Sequence, residues 1–405
     1  MNDNNKRKRI GKKAAALFLV LPCGNFGELS TRSLCHCCVV ISQRCHRIAF
    51  FRLALTQISG TDFHRYFRNA VLAACLLFSG ICITPVMKTE AKAPLVICID
   101  PGHGGSNEGA LYNGLKEKDL TLQIATAMYQ ELSLYDGVTV VMTRTADVDL
   151  TLAQRAQIAA GAGADFLYSI HLNASPSHNL FGSEVWVSGY GNHYAKGMSF
   201  GNIALEQLAT DVGVYPRGVK TKLKANGNGD YYGVINHARL LGVTAAIIEH
   251  CHMDEAHDND FYRREGALEK LGKADATAVA KYYGLSSAAL GVDYGRYQYV
   301  QYPNAKTPKM QDMTDPEVSQ IELISYDKST KKVLLNAKAE DAQSRIIYYS
   351  FSADGGLTWS GLYGWMPVGE GYIEFTLPDH ATGEICVRVH NEYDRFTESN
   401  HIFLS

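Results

Sequence analysis

A chain of 405 residues is long enough for two or three domains, and its net charge of −2 conceals a sharp division. Residues 1–93 hold 14 of the 39 Lys and Arg but only 4 of the 41 Asp and Glu, which leaves the rest of the chain at −12. So acidic a body excludes nucleic acid as a partner, and the basic stretch beside apolar runs reads as a targeting signal. Seven of the ten cysteines also precede residue 94, and Cys98, Cys251 and Cys386 lie in three separate segments, which excludes a disulfide framework.

In chain order, residues 1–69 are basic and aperiodic, an N-terminal extension with no stable domain of its own. Cys35, Cys37 and Cys38 with His36 and His46 match no common zinc spacing. Residues 70–93 contain the uncharged apolar run Ala70–Val86, followed by the small-x-small triplet Ala91-Lys92-Ala93 and then Pro94. The run is short for a spanning helix and slightly long for a signal core, so it reads either as a cleaved signal or as a single retained membrane anchor.

From residue 94 to 285 the pattern alternates. Strands are expected at 95–99, 138–142, 166–170, 184–187 and 244–248, rich in β-branched and aromatic residues. Helices are expected at 117–134, 151–162, 193–212 and 264–283; in the first, Leu120, Ile124, Ala127, Met128 and Leu132 share a face. Such alternation predicts an α/β domain, a mostly parallel twisted sheet flanked by helices. Residues 286–314 lose periodicity and read as a linker. Residues 315–405 read as short strands at 318–325, 333–337, 346–350, 372–377, 385–390 and 401–404, a small all-β sandwich of accessory role. Trp359, Tyr363 and Trp365 are read as sandwich core or surface rather than a carbohydrate platform.

Four residues in this frame carry chemistry. His103 sits in the Gly-rich turn Asp100-Pro101-Gly102-His103-Gly104-Gly105, Glu117 opens a helix, and His171 and Glu249 each end an apolar strand. Ligands of open α/β sheets gather beyond the carboxyl ends of strands, which is where His103, His171 and Glu249 fall. Two imidazoles and one carboxylate make a three-ligand zinc site with an open fourth position, and a carboxylate off the metal can take a proton from water. The bland alternatives are a loop histidine, a carboxylate favoured at a helix start, and a satisfied core histidine.

Six segments in order resemble the zinc-dependent N-acetylmuramoyl-L-alanine amidases over about residues 95–285: Asp100–Gly105, Gly114–Lys118, Thr143-Arg144, Ser169–Ala174, Arg217-Gly218-Val219 and Ile247–Glu249. The resemblance implies a zinc ion (Zn2+) on His103, Glu117 and His171, with Glu249 as the catalytic carboxylate. It also implies peptidoglycan as the partner, an extracytoplasmic location, and hydrolysis of the amide between N-acetylmuramic acid and L-alanine. Where the family has a small and an aromatic residue after the catalytic carboxylate, this chain has His250-Cys251-His252-Met253. Asn173 either orients the His171 loop or touches substrate, and Arg144 and Arg155 are read as structural anchors. His237, His250, His252 and His257 are not expected to bind the metal. The segment 346–352 followed by 354–360 resembles immunoglobulin- or fibronectin-like wall modules, which implies a C-terminal domain that binds wall polymer or protein. A zinc peptidase cutting stem peptides and an inactive amidase-fold wall-binding protein remain as rival readings.

Overall fold

Residues 94–365 and 370–405 are described by a computed structural model; the extension at 1–69 and the segment at 70–93 lie outside them. The first part of the chain builds a six-stranded sheet from β1 (Leu95–Pro101), β4 (Val138–Met142), β5 (Phe166–Asn173), β6 (Ser183–Val187), β7 (Pro216–Thr221) and β8 (Thr244–His252). Two-residue strands β2 (Leu111–Tyr112) and β3 (Leu115–Lys116) form a separate hairpin. The order across the sheet is β4-β1-β5-β8-β6-β7. Every pair is parallel except β6 with β8, which is antiparallel. The sheet is therefore mostly parallel, as the alternation implies.

Both faces are covered. Ile97, Ile99, Phe166, Tyr168, Ile170, Ala246 and Ile248 pack with α1 (Glu117–Leu132), α3 (Gly191–Gln207) and α6 (Ala267–Tyr283). The intervening residues Cys98, Leu167, Trp186, Ala245 and Ile247 pack with α2 (Leu152–Gly161) and α4 (Gly233–Leu240). This strict period of two on doubly buried strands explains why they read as continuous apolar runs. A short α5 (Ala256–Tyr262) follows β8. Helix α3 ends in one π turn, Leu208–Val212, stopped by Gly213 in the left-handed conformation, so the helix expected to 212 is regular only to Gln207.

Besides strands of two or three residues, the sequence pattern misses three elements. Strand β7 carries Pro216 and Gly218, which break the β signature, while α4 and α5 are short; α4 has no side-chain cap, and α5 is capped by Glu255, which accepts the Asp258 N–H, rather than by Ser, Thr, Asp or Asn. Beyond α6, β9 (Ser286–Ser287) pairs with β10 (Val292–Asp293), and Tyr294, Tyr297 and Tyr299 pack onto the domain core. The Lys309 N–H then bonds the Gly189 carbonyl, so this stretch runs along the α/β domain.

The C-terminal residues form two sheets. One joins β11 (Val318–Asp327), β12 (Lys332–Glu340) and β15 (Glu370–Thr376). The other joins β13 (Ile346–Ser352), β14 (Tyr363–Gly364), β16 (Glu384–Asn391), β17 (Phe396–Glu398) and β18 (Ile402–Phe403). Val333, Leu335, Phe351, Trp365, Ile373, Ile385 and Val387 fill the space between them. Trp365 is thus core, while Trp359 lies under the Arg388 guanidinium, 3.7 Å from its ring centre. No helix among the described residues is long and apolar enough to cross a membrane.

Candidate active site

The turn after β1 is held rigidly. Arg144, on the loop after β4, donates to the carbonyls of Pro101, Gly102 and Lys118. Arg155 of α2 donates to Asp100 Oδ1 at 2.7 Å and to the Pro101 and His103 carbonyls. Both guanidiniums are buried, so they are the anchors the sequence suggests, though their grip is on the turn that bears His103. His103 itself has φ +59°, an uncommon conformation for a residue with a Cβ.

Glu117 is the first residue of α1, where the helix dipole favours an anion. Its Oε2 lies 3.0 Å from His103 Nε2 and accepts the Ala110 N–H, while Oε1 lies 3.0 Å from His171 Nδ1 and accepts the Leu172 N–H. Burial alone would raise this carboxyl, but the hydrogen bonds and charges of the two imidazoles hold it far below the usual range. The two rings meet edge to face with centroids 4.9 Å apart. Gly109 makes the enclosure feasible: a Cβ there would stand 2.5 Å from Glu117 Oε2 and 2.7 Å from His103 Cδ2.

The structure thus brings His103, Glu117 and His171 together, with one ligand atom from each within 4.8 Å of the others. At such distances each imidazole either shares a proton with the carboxylate or, neutral, shares a cation with it. His103 Nδ1 is 2.9 Å from Asn107 Oδ1, which directs the Nδ1 proton there and leaves the Nε2 lone pair free to bind a cation. Two nitrogens, one carboxylate and a glycine-lined cradle fit a divalent metal.

Glu249 stands one strand away. In the register of the sheet His171 pairs with Glu249, and Glu249 pairs with Glu184. By alternation all three point to the α2–α4 face, since Ile247 and Trp186 pack there. Burial first, then the charges of Glu117 and Glu184, push the Glu249 carboxyl well above its ordinary value. A cavity of about 660 Å³ opens beside the row, lined by His103, His171, Asp149, Thr151, Leu152 and Gln154 among others.

Glu184 has a different environment. Its carboxylate accepts from Arg217 Nε at 2.8 Å, Lys220 Nζ at 2.6 Å, Asn173 Nδ2 at 2.9 Å and Trp186 Nε1 at 2.9 Å. Burial opposes its charge, but Lys220 and Arg217 outweigh that and keep it ionised. Asn173 is engaged at both ends, because its Oδ1 accepts the Ala174 N–H. His250 lies outside the His103–Glu117–His171 cluster: Nε2 is 2.8 Å from Asp275 Oδ2 and Nδ1 is 3.1 Å from the His171 carbonyl. His252 is held neutral, its pKa pushed down to about 3 by burial and by Arg217.

Residues 97–281 match a family model described as N-acetylmuramoyl-L-alanine amidase. The N-acetylmuramoyl-L-alanine amidase CwlM of Bacillus licheniformis is 33% identical over 194 residues, 48% of this chain and 70% of that one. The chain belongs to the N-acetylmuramoyl-L-alanine amidase family. A sporulation-specific N-acetylmuramoyl-L-alanine amidase of Bacillus subtilis is 31% identical over 194 residues, with the same shares of 48% and 70%. Among solved structures, an N-acetylmuramoyl-L-alanine amidase of Clostridium difficile 630 is 28% identical, covering 47% of this chain and 98% of that one at a TM-score of 0.41. The matched span of this amidase holds the candidate metal cluster, Glu249, Glu184, Arg217 and Lys220, and ends before the β sandwich. Sequence reasoning singled out Arg217 through its motif but missed Glu184 and Lys220. An apolar strand with one acid gives no sign that its partners arrive 33 and 36 residues later.

Proposed function

We propose that the chain hydrolyses the amide between the lactyl group of N-acetylmuramic acid and the L-alanine of the stem peptide in peptidoglycan. It would then act outside the cytoplasmic membrane, where that polymer lies. Zinc is the metal that suits His103, Glu117 and His171, two nitrogens and one oxygen with no thiolate. When bound, it supplies Lewis acidity, polarising a carbonyl and bringing the acidity of water toward neutral.

The protein's own groups do the rest. Asn107 fixes the His103 tautomer, and Arg155 holds the His103 carbonyl so that the ring keeps its direction. Glu249 takes the proton of the attacking water on a carboxylate oxygen and returns it to the departing L-alanine nitrogen. Burial and the neighbouring charges of Glu117 and Glu184 displace its carboxyl upward, so it holds a proton more readily than a free carboxylate does. Asn173, bonded to Glu184 and to its own loop, orients the end of the His171 strand.

The observation that carries the reading is the placement of Glu249: in register with His171, beside the metal cluster, yet hydrogen-bonded to no cation among the described residues. An uncompensated carboxylate is costly to keep in such a place, and a purely wall-binding protein has no use for it. The test is digestion of purified peptidoglycan with the zinc-loaded chain, followed by mass analysis. Stem peptides with a free L-alanine amine, leaving intact lactyl groups on the glycan, support the amidase. Fragments cut within the stem would make it a peptidase, and binding without release would make it a wall-binding protein.

A further inference from the structure

The tip of the β16–β17 hairpin, Glu392-Tyr393-Asp394, is seated on β7 of the catalytic domain. Both carboxylate oxygens of Asp394 accept from Arg217 Nη2, at 3.0 and 2.9 Å. Tyr348 Oη accepts from Arg217 Nη1 at 3.0 Å and donates to the Phe181 carbonyl. Tyr393 Oη accepts the Thr221 N–H at 3.1 Å, and its ring centre lies 5.8 Å from Lys220 Nζ. The seat is shaped for its occupant: at Gly218, φ +108°, a Cβ would stand 2.4 Å from Glu392 Oε1.

Charge makes the contact more than packing. Arg217 and Lys220 are two cations, each about 1% exposed, and Glu184 supplies a single negative charge. Asp394 brings the second, so the group is neutral only with the hairpin in place. Without Asp394, the two buried cations would share the one charge of Glu184, and the uncompensated charge left over is strongly unfavourable. The group placed to respond is Glu184, which faces Glu249 across β6 and β8 and holds Asn173 at the end of the His171 strand.

We propose that the C-terminal β domain is a working part of the catalytic site, with Asp394 and Tyr348 as positioning residues that hold Arg217 and, through it, Glu184, Glu249 and the His171 strand end. This role exceeds that of an accessory wall-binding module, and it rests on the function assigned to Glu249 above. Small displacements of a reacting group are expensive in rate, so loss of the Asp394 charge should show in kcat rather than in substrate binding.

The test uses the full chain, zinc-loaded, on a soluble muramoyl-peptide. Asp394→Asn is expected to lower kcat about 10-fold, with KM and zinc content unchanged. Tyr348→Phe should give a smaller loss in the same parameter, and Asp394→Glu should restore most of the rate. Asp379→Asn removes an equal charge from an exposed ion pair with Lys331 in the same domain and should leave kcat unaltered. Should Asp394→Asn fail to fold, Tyr348→Phe, which deletes one hydroxyl, carries the comparison. Unchanged kcat in both folded variants, or an equal loss in Asp379→Asn, would overturn the proposal. If Glu249→Gln itself keeps the wild-type rate, the assignment of Glu249 is at fault and not the coupling.

Discussion

Glu117 and Glu184 are two buried carboxylates on either side of Glu249, and both are held below the ordinary carboxylate range. Their partners differ in kind. Glu117 faces two imidazoles that are 20–22% exposed and can exist without charge. Glu184 faces a guanidinium and an ammonium, each 1% exposed, whose charges are permanent at physiological pH. The first arrangement can exchange protons for a cation; the second is closed, with every oxygen committed to hydrogen bonds. Glu249 lies between them and receives negative potential from both, with no hydrogen-bonded cation among the described residues. One residue type thus meets three environments, which suit it to the proposed roles of ligand for Glu117, strut for Glu184 and proton carrier for Glu249.

The contrast can be broken at the closed side with the largest effect on stability. Glu184→Gln leaves two buried cations with only Asp394 between them and should cost about 3–5 kcal/mol in denaturant unfolding. A loss below about 1 kcal/mol would show that the pairing is worth far less than its burial implies. The carboxyl of Glu184 titrates lower in the folded than in the unfolded chain. Its stabilisation is therefore present above the unfolded pKa, about 4.3, and is lost as pH falls below that range. The stability gap between wild type and Glu184→Gln should accordingly shrink on acidification below about pH 4 and stay constant from pH 6 to 8.

At the open side the expected effect is on metal affinity. Asn107→Ala removes the oxygen 2.9 Å from His103 Nδ1 and should weaken zinc binding about 10- to 100-fold in chelator competition. Unaltered affinity would mean that the ring is oriented by the Gly-rich turn alone. The smallest effect belongs to an exposed pair remote from both clusters. Lys332→Ala, which breaks a 3.3 Å contact with Glu374 between half-exposed side chains, should leave the unfolding midpoint where it was. A marked shift there would undo the premise that burial, rather than charge count, decides the larger effects.

The open side was legible in the sequence and the closed side was not. His103, His171 and Glu249 stand just past strand ends, which gathers them at one edge of the sheet, while Glu117, at a helix start, joins them only through the family motif. Five of the six main strands and the four long helices follow from period-two and period-3.6 patterns on doubly covered elements. Strand β7 did not, because Pro216 and Gly218 mask it, although Gly218 is there to admit Glu392. Glu184 looked like an ordinary charge on an expected strand, and Lys220 lay outside any expected strand. Their meaning depends on Asp394, which lies 177 residues beyond Arg217, and no local pattern encodes such a pairing.

In the proposed function Glu117 serves the metal while Glu249 serves the proton, and paired glutamine substitutions separate the two roles. Glu249→Gln keeps the size of the side chain and removes its basicity. We expect kcat on a soluble muramoyl-peptide to fall by roughly 10²–10⁴-fold or more with zinc content unchanged. Glu117→Gln removes a charged oxygen from the cluster and should lose zinc as well as rate. Zinc retained in Glu117→Gln but lost in Glu249→Gln would contradict the account, because it would exchange the roles of the two carboxylates.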